Sequence, residues 1–363
     1  PGFRRNRSDN TNLLMNGAPL LYFILATAII LAGYWISIAV SILYRRNRMK
    51  RYLIIESTFA NIVSRYLYND PEDPITLVQI QRTLRNVGIK PGKTRNIQFL
   101  IQLMIRTQRY ILGENYNKLK KLYSQIPPYK VSINKVYSWN WYRKARGIRE
   151  VYEMDQSQYL DEVFKYRNHR NLYVRREAQI ALVVFLGWES LRFLPYLKRK
   201  ITLWQQIKIV EKLYDLYPKP ELKWLQRAYK TDRLFAKQLL MRIIRKYQLH
   251  SETDYILMHL DDTDYEIRET AIYCIQTFAL PDEKIERVKE LYEKIPNATQ
   301  QGQLLDYIYE NSEIDLDFYL KQLYGDNDEL KLSVAEILWN NGYKEKVQEF
   351  YYQQYPKTEA HVE

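Results

Sequence analysis

From Asn10 to Tyr44 the chain carries no charged residue, and residues 18–44 read APLLYFILATAIILAGYWISIAVSILY. At about 1.5 Å rise per residue such a run spans about 40 Å as a helix, enough to cross a bilayer with some tilt. So long an uncharged segment is hard to bury inside a water-soluble core, which is the competing reading. Tyr22, Tyr34, Trp35 and Tyr44 include rings suited to a membrane–water interface. A cleaved signal peptide has a shorter apolar core and a small-residue cleavage site. Here a basic run follows at once, Arg45, Arg46, Arg48, Lys50 and Arg51, in the manner of a stop-transfer anchor. Arg4, Arg5 and Arg7 lie farther from the span on its amino side. The positive-inside rule therefore predicts an outside amino terminus and a cytoplasmic remainder, with the basic run docked on anionic lipid head groups. Gly33, Ser37 and Ser41 share one helix face and would allow a neighbouring helix close approach, although Ile29 ends the ladder.

Past the span the pattern is helical throughout. Only 11 Gly and 13 Pro occur in 363 residues, too few for a loop-rich β protein or a disordered chain. The 33 Tyr suit half-buried positions, where the ring packs and the hydroxyl stays wet, as in a thin helical array. The single cysteine, Cys274, excludes an intramolecular disulfide and sits in an apolar helical pattern, consistent with a cytoplasmic location.

The net charge of +13 is unevenly spread. Residues 1–51 carry +7, 52–144 carry +10, 145–249 carry +11 and 250–363 carry −15. Such asymmetry suggests two faces for two partners, against the plainer reading of solvated helix faces.

Residues 46–68 continue the helix beyond the span. NDPEDP, residues 69–74, breaks it, and three helices are expected over 75–125 before Pro127 and Pro128. These signals divide the chain into a short amino-terminal segment (1–17), a transmembrane helix (18–44), a juxtamembrane helical region (45–129), a repetitive region (130–355) and a tail (356–363).

Three stretches of the repetitive region share a pattern: NLYVRREAQIALVVFLG (171–187), DYEIRETAIYCIQTFA (264–279) and DNDELKLSVAEILWNNG (326–342). Each begins with a helix-capping Asn or Asp, and each has an aliphatic residue followed by Arg or Lys. Each is preceded by a short amphipathic helix: LDEVFKYR, DYILMHL or DFYLKQLY. The Asp/Asn-x-x-Val-Arg-x-x-Ala pattern between two helices resembles HEAT repeats, clearest at Asn171, Val174, Arg175 and Ala178 and at Asp264, Ile267, Arg268 and Ala271. It weakens around Trp141–Ile148, Gln205–Val210, Asp232–Ala236 and Gln300–Ile308. Ala145, Ala178, Ile207, Ala236, Ala271, Leu304 and Val334 then serve as repeat anchors.

The resemblance implies an all-α chain: one amino-terminal transmembrane helix, then a right-handed α-solenoid of helix pairs. It implies that Arg175 and Arg268 each reach an acidic cap of a neighbouring repeat, that Ala178 and Ala271 allow close helix approach, and that the surface binds rather than catalyses. The whole looks like bacterial membrane-anchored HEAT-repeat proteins. That suggests an inner-membrane interaction scaffold, an accessory subunit of a complex for, say, polysaccharide synthesis or export. Its partners would be membrane lipid and a protein, such as a multi-pass membrane enzyme or transporter.

Catalytic and metal chemistry find no foothold in the pattern. PGKTRN, with Gly92, Lys93 and Thr94, lacks the P-loop's first Gly: Val87 holds that position, and Gly88 is one off. A turn followed by a helix capped by Thr94 explains it. Asp262-Thr263-Asp264, Asp315-Leu316-Asp317 and Asp326-Asn327-Asp328 sit where helix caps belong, and none has the Gly and Glu of a calcium loop. His169, His250, His259 and His361 do not pair at ligand spacing, so no catalytic, cofactor or metal residue is assigned and no cofactor is expected. The stretch 75–249 interleaves cations with Tyr and Trp, most densely in YKVSINKVYSWNWYRKARGIREVY. Lys118, Lys120, Lys121, Arg143, Lys144, Arg146 and Arg149 are its candidate partner-binding basic face. Lipid or protein docking is the first use for it, and nucleic acid or another anionic polymer is the alternative.

Overall fold

A computed structural model describes residues 9–68, 75–111, 113–126, 128–325 and 327–354. The NDPEDP break, Pro127, Asp326, Arg4, Arg5, Arg7, His361 and the tail from residue 356 lie outside these. Among the described residues every regular element is a helix. The chain divides into two compact units, Pro1–Lys135 and Val136–Glu363, where the sequence suggests a boundary at 129/130.

The first unit holds α1 (Asp9–Tyr68), α2 (Leu77–Asn86), α3 (Thr94–Gln108), α4 (Glu114–Gln125) and α5 (Pro128–Val136), the last of which crosses the boundary. α1 is one continuous helix of two characters. Its apolar half is solvent-exposed on every side, from Leu21 to Tyr44, and is long and apolar enough to span a membrane. Its second half is amphipathic: Ile55, Phe59, Ile62, Val63 and Leu67 form a buried stripe at helical spacing. That stripe packs on α2, α3 and α4, which bring Ile80, Leu84, Ile97, Leu100, Met104, Leu119 and Leu122 to the same core. Thr76 and Gln79 close a capping box at the start of α2, with the Thr76 amide donating to Gln79 Oε1 at 2.8 Å. α3 is capped by Lys93 without a side-chain hydrogen bond, and Thr94, the expected cap, is its first helical residue.

The second unit holds α6 (Trp141–Glu153), α7 (Leu160–Phe164), α8 (Leu172–Leu186), α9 (Leu203–Leu216), α10 (Leu222–Ala228), α11 (Leu234–Tyr247), α12 (Thr253–Leu257), α13 (Tyr265–Ile275), α14 (Asp282–Tyr292), α15 (Ala298–Asn311), α16 (Leu316–Leu323), α17 (Asp328–Asn340) and α18 (Lys344–Gln354). A 3₁₀ segment, Gly187–Tyr196, follows α8. Leu172–Tyr196 is also long and apolar enough to cross a membrane, but its most apolar stretch is two-thirds buried, so α8 is a core helix of this unit.

Seven of these helices form a series. α6 packs on α8, α8 on α9, α9 on α11, α11 on α13, α13 on α15 and α15 on α17. Their N-caps are Asn140, Asn171, Thr202, Arg233, Asp264, Asn297 and Asn327. The first four steps between caps are therefore 31 residues each. The position seven past each cap is buried: Gly147, Ala178, Ile209, Leu240, Ala271, Leu304 and Val334. Three expected anchors are thereby corrected. Gly147 replaces Ala145, Ile209 replaces Ile207 (36% exposed) and Leu240 replaces Ala236. Ala236 and Leu240, four apart, share a helix face and are both buried, so hydrophobicity alone leaves the register of α11 open by one turn; the other two shifts are of two residues, set by the cap positions.

Four of these caps, Asn140, Asn171, Asp264 and Asn297, accept a hydrogen bond from their own helix amides, while Thr202, Arg233 and Asn327 make no side-chain cap bond. Asn171 Oδ1 accepts from the Tyr173 and Val174 amides at 3.0 and 3.3 Å, and Asp264 Oδ1 accepts from Ile267 at 3.1 Å. The arginines differ from the expectation that they reach a neighbouring acidic cap. Arg175 Nη1 donates to the His169 carbonyl at 2.9 Å, and Arg268 Nη1 to the Asp262 and Thr263 carbonyls at 2.7 and 3.1 Å. Each guanidinium ties down the loop before its own helix, where carbonyls would otherwise be desolvated unpaired.

A ladder of buried amides crosses from helix to helix. Gln205 on α9 donates to Gln179 on α8, and Gln206 donates to Gln238 on α11 at 3.2 Å. Gln238 donates to the Glu266 carbonyl and the Thr270 hydroxyl on α13, and Arg268 Nε to Gln300 on α15 at 3.0 Å. Asn327, the cap of α17, donates to Gln301 at 3.1 Å. Tyrosines do similar work farther along: the Tyr217, Tyr247 and Tyr307 hydroxyls donate to the carbonyls of Val184, Tyr217 and Phe278 at 2.7–2.9 Å.

Candidate functional site

The 31-residue register brings equivalent positions of α9, α11 and α13 side by side on a solvent-facing groove of about 540 Å³. Arg242, Arg245 and Lys246 line it from the carboxyl half of α11, with Ile207, Val210 and Glu211 on α9 and Tyr273 and Thr277 on the α13 side. Tyr273 stands one register step beyond Arg242, and Arg245 one step beyond Tyr214. Each cation is held by a neighbour of fixed position. Arg242 Nε donates to Gln206 Oε1 at 3.1 Å, which joins the groove to the amide ladder. The Arg245 guanidinium lies 3.9 Å from the Tyr273 ring centroid, and Lys246 Nζ lies 4.6 Å from that of Tyr214. None of the three makes an ion pair among the described residues, while Glu211 is engaged by Lys208 at 2.8 Å. Three oriented cations beside half-exposed rings can receive carboxylates or phosphates at low reorganisation cost.

The ring-and-cation pairing extends along the series. Arg176 lies over Tyr173 on α8 and Lys208 over Trp204 on α9. The first helical position after each of five successive caps is a large exposed apolar residue: Trp141, Leu172, Leu203, Leu234 and Tyr265.

Cys274 sits beside the groove but is fully buried, and burial pushes its thiol up to about 12 against the lowering effect of Arg242 and Arg245. It stays protonated and offers no nucleophile. Among the described residues no group of three His, Cys, Asp or Glu could hold a metal. Buried polar pairs such as Tyr229 with Glu252 (2.7 Å) and Tyr152 with Glu177 (2.8 Å) satisfy each other.

The residues that the sequence marks as candidates are dispersed. Arg45, Arg46, Arg48, Lys50 and Arg51 are all exposed on α1. Lys118, Lys120 and Lys121 are on α4 in the first unit, and Arg143, Lys144, Arg146 and Arg149 on α6 in the second, so the set is shared between two units. Several are engaged locally: Lys118 with Glu114 (3.1 Å), Arg146 with Glu150 (3.0 Å), Lys120 over Tyr116 and Lys144 over Tyr166. Asn171, Arg175, Ala178, Asp264, Arg268 and Ala271 are structural: they cap, tie loops and pack. Arg242, Arg245 and Lys246 carry no motif of their own. The 31-residue step from α9, which aligns them with Glu211, Tyr214 and Asp215, is the signal that could have found them.

The chain matches no protein-family model, and no curated protein matches it.

Proposed function

We propose that the chain is a membrane-tethered scaffold, an accessory subunit whose α1 anchors a HEAT-type α-solenoid to the cytoplasmic face of an inner membrane. In this reading the groove of α9, α11 and α13 holds an acidic segment of a protein partner. The groove itself carries the proposal: three cations aligned by Gln206, Tyr273 and Tyr214, with no acidic partner among the described residues. The stacked series supports it, since helix pairs that bury their stripes on one another leave one continuous face for binding. The apolar half of α1 supports the tether, and the basic run from Arg45 to Arg51 supports a cytoplasmic placement for the rest of the chain.

The test is co-purification from gently solubilised native membranes, comparing the wild type with Arg242→Gln/Arg245→Gln/Lys246→Gln. A stoichiometric protein present with the wild type and lost from the variant, at unchanged melting temperature, is the expected result. Equal recovery from both removes the groove from the proposal.

A second reading, in which the face takes nucleic acid or another anionic polymer, is favoured by the alternation of Tyr173, Trp204, Tyr214 and Tyr273 with Arg176, Lys208, Lys246 and Arg245. It requires binding that falls steeply with salt, with a log–log slope reduced by about 1 for each cation changed to Gln.

A further inference from the structure

The motif PGKTRN, which fails as a nucleotide loop, lies against α1 where the uncharged run ends. A groove of about 430 Å³ opens there, lined by Tyr44, Arg48 and Arg51 of α1 and by Gly92, Lys93 and Arg95 at the start of α3. Gly92, at φ +87°, makes the turn that brings Lys93 and Arg95 alongside the helix, and the Lys93 amide closes that turn on the Lys90 carbonyl at 3.0 Å. Arg95 Nη1 donates to the Tyr44 hydroxyl at 2.6 Å, and Arg48 Nε to the Tyr52 hydroxyl at 3.0 Å. Tyr52 is itself fixed by stacking on Phe99, with ring centroids 4.1 Å apart.

Four cations thus converge on one groove, and no carboxylate lines it among the described residues. None of the four makes an ion pair among those residues, although like charges gathered this closely repel one another. Two guanidinium groups held in place by tyrosine hydroxyls suit the oxygens of a phosphate. Position selects the source. Tyr44 is the last residue of the apolar run, so on the reading that α1 crosses the bilayer the groove sits at head-group depth.

We propose that the groove between Arg48, Arg51, Lys93 and Arg95 binds the phosphate of an anionic lipid head group, a specific lipid site rather than diffuse attraction to the surface. It rests on the membrane-spanning reading of α1 given under Proposed function.

The experiment uses the full chain in mild detergent, titrated with phosphatidylglycerol or phosphatidylcholine and read by native mass spectrometry. The variant is Lys93→Gln/Arg95→Gln, which leaves α1 intact. The wild type should retain phosphatidylglycerol over phosphatidylcholine by on the order of tenfold, and the variant should lose that preference. Absence of preference in the wild type, or its persistence in the variant, overturns the proposal. Displacement of the bound lipid by millimolar inorganic phosphate would assign the site to a soluble phosphate compound and overturn the lipid assignment. Carbonate extraction of membranes separates the two layers. Release of the wild type contradicts the span itself, while retention of both proteins without lipid preference contradicts the site alone.

Discussion

Arg268 on α13 donates from Nε to Gln300 on α15 at 3.0 Å while its Nη1 holds the Asp262 carbonyl at 2.7 Å, so one buried guanidinium both secures its own loop and reaches the next helix. Arg175, at the same register position on α8, holds the His169 and Arg170 carbonyls of its loop at 2.9 and 3.5 Å and makes no bond to the next helix among the described residues. Replacing Arg268 with Leu should therefore cost about 3 kcal/mol and exceed the cost of Arg175→Leu, because it strands the Gln300 side-chain oxygen in addition to the loop carbonyls. Urea midpoints of the two variants, at unchanged m-value, check the order.

Gln206 is the junction between the ladder and the groove, buried and bonded to both Gln238 and Arg242. Gln206→Leu should cost about 2 kcal/mol through the unpaired Gln238 oxygen and should also loosen Arg242. Adding Gln238→Leu should cost less than that variant does alone, since two apolar side chains need no partners. A double-mutant cycle measures the coupling, and additive costs would show that the bond contributes nothing.

His259 makes the second unit sensitive to mild acid. Burial, helped by Lys237, lowers its pKa, against the opposing pull of Asp262. His259 Nδ1 stands 3.2 Å from Asp262 Oδ2, which Lys237 also approaches at 3.2 Å. Burial pushes the Asp262 carboxyl up, but the Asp264 amide and Lys237 outweigh it and hold it below the usual range, so it is ionised at neutral pH and accepts a hydrogen bond from the imidazole N–H. Below about pH 6.5 the unfolded chain takes up a proton that folded His259 refuses, so stability falls as pH drops from 6.5 towards the lowered folded value. Thermal melts between about pH 7.5 and 5 should show that decline, and His259→Gln should flatten it in part, because burial also lowers His169.

Gly187 ends α8 at φ +57° and ψ −132°, a conformation that side-chain-bearing residues avoid. A Cβ there would stand 2.8 Å from the Tyr217 ring, whose hydroxyl holds the Val184 carbonyl. Gly187→Ala should cost about 2–3 kcal/mol, and Tyr217→Phe only about 1 kcal/mol, the value of one hydrogen bond. Equal effects in calorimetry would show that the close approach carries no strain.

The helical class, the apolar span and the caps at Asn171 and Asp264 are legible from residues alone, because capping and hydrophobic period are local properties. The register is less so. Thr202 and Arg233 cap their helices without a side-chain hydrogen bond, so two caps in the middle of the series leave little trace in the sequence. Two of the four stretches where the repeat pattern weakens, around Gln205 and Gln300, are where buried amides link successive helices. A consensus written for apolar packing reads such positions as decay. The grooves are hidden for a related reason: Lys93 and Tyr44 are far apart in the chain, and Arg242 meets Tyr273 only once the 31-residue step is known.

On the proposed function, the α9–α11–α13 groove receives an acidic segment of a partner. The most direct measurement places a photo-crosslinking amino acid at Tyr273 in the groove or at the exposed Met258 after α12, in the full chain in its native membranes. A single acidic partner captured from Tyr273, absent from Met258 and lost when Arg245→Gln/Lys246→Gln is added, is the predicted result. Capture that is equal from both positions, or unchanged by removal of the two cations, would contradict it.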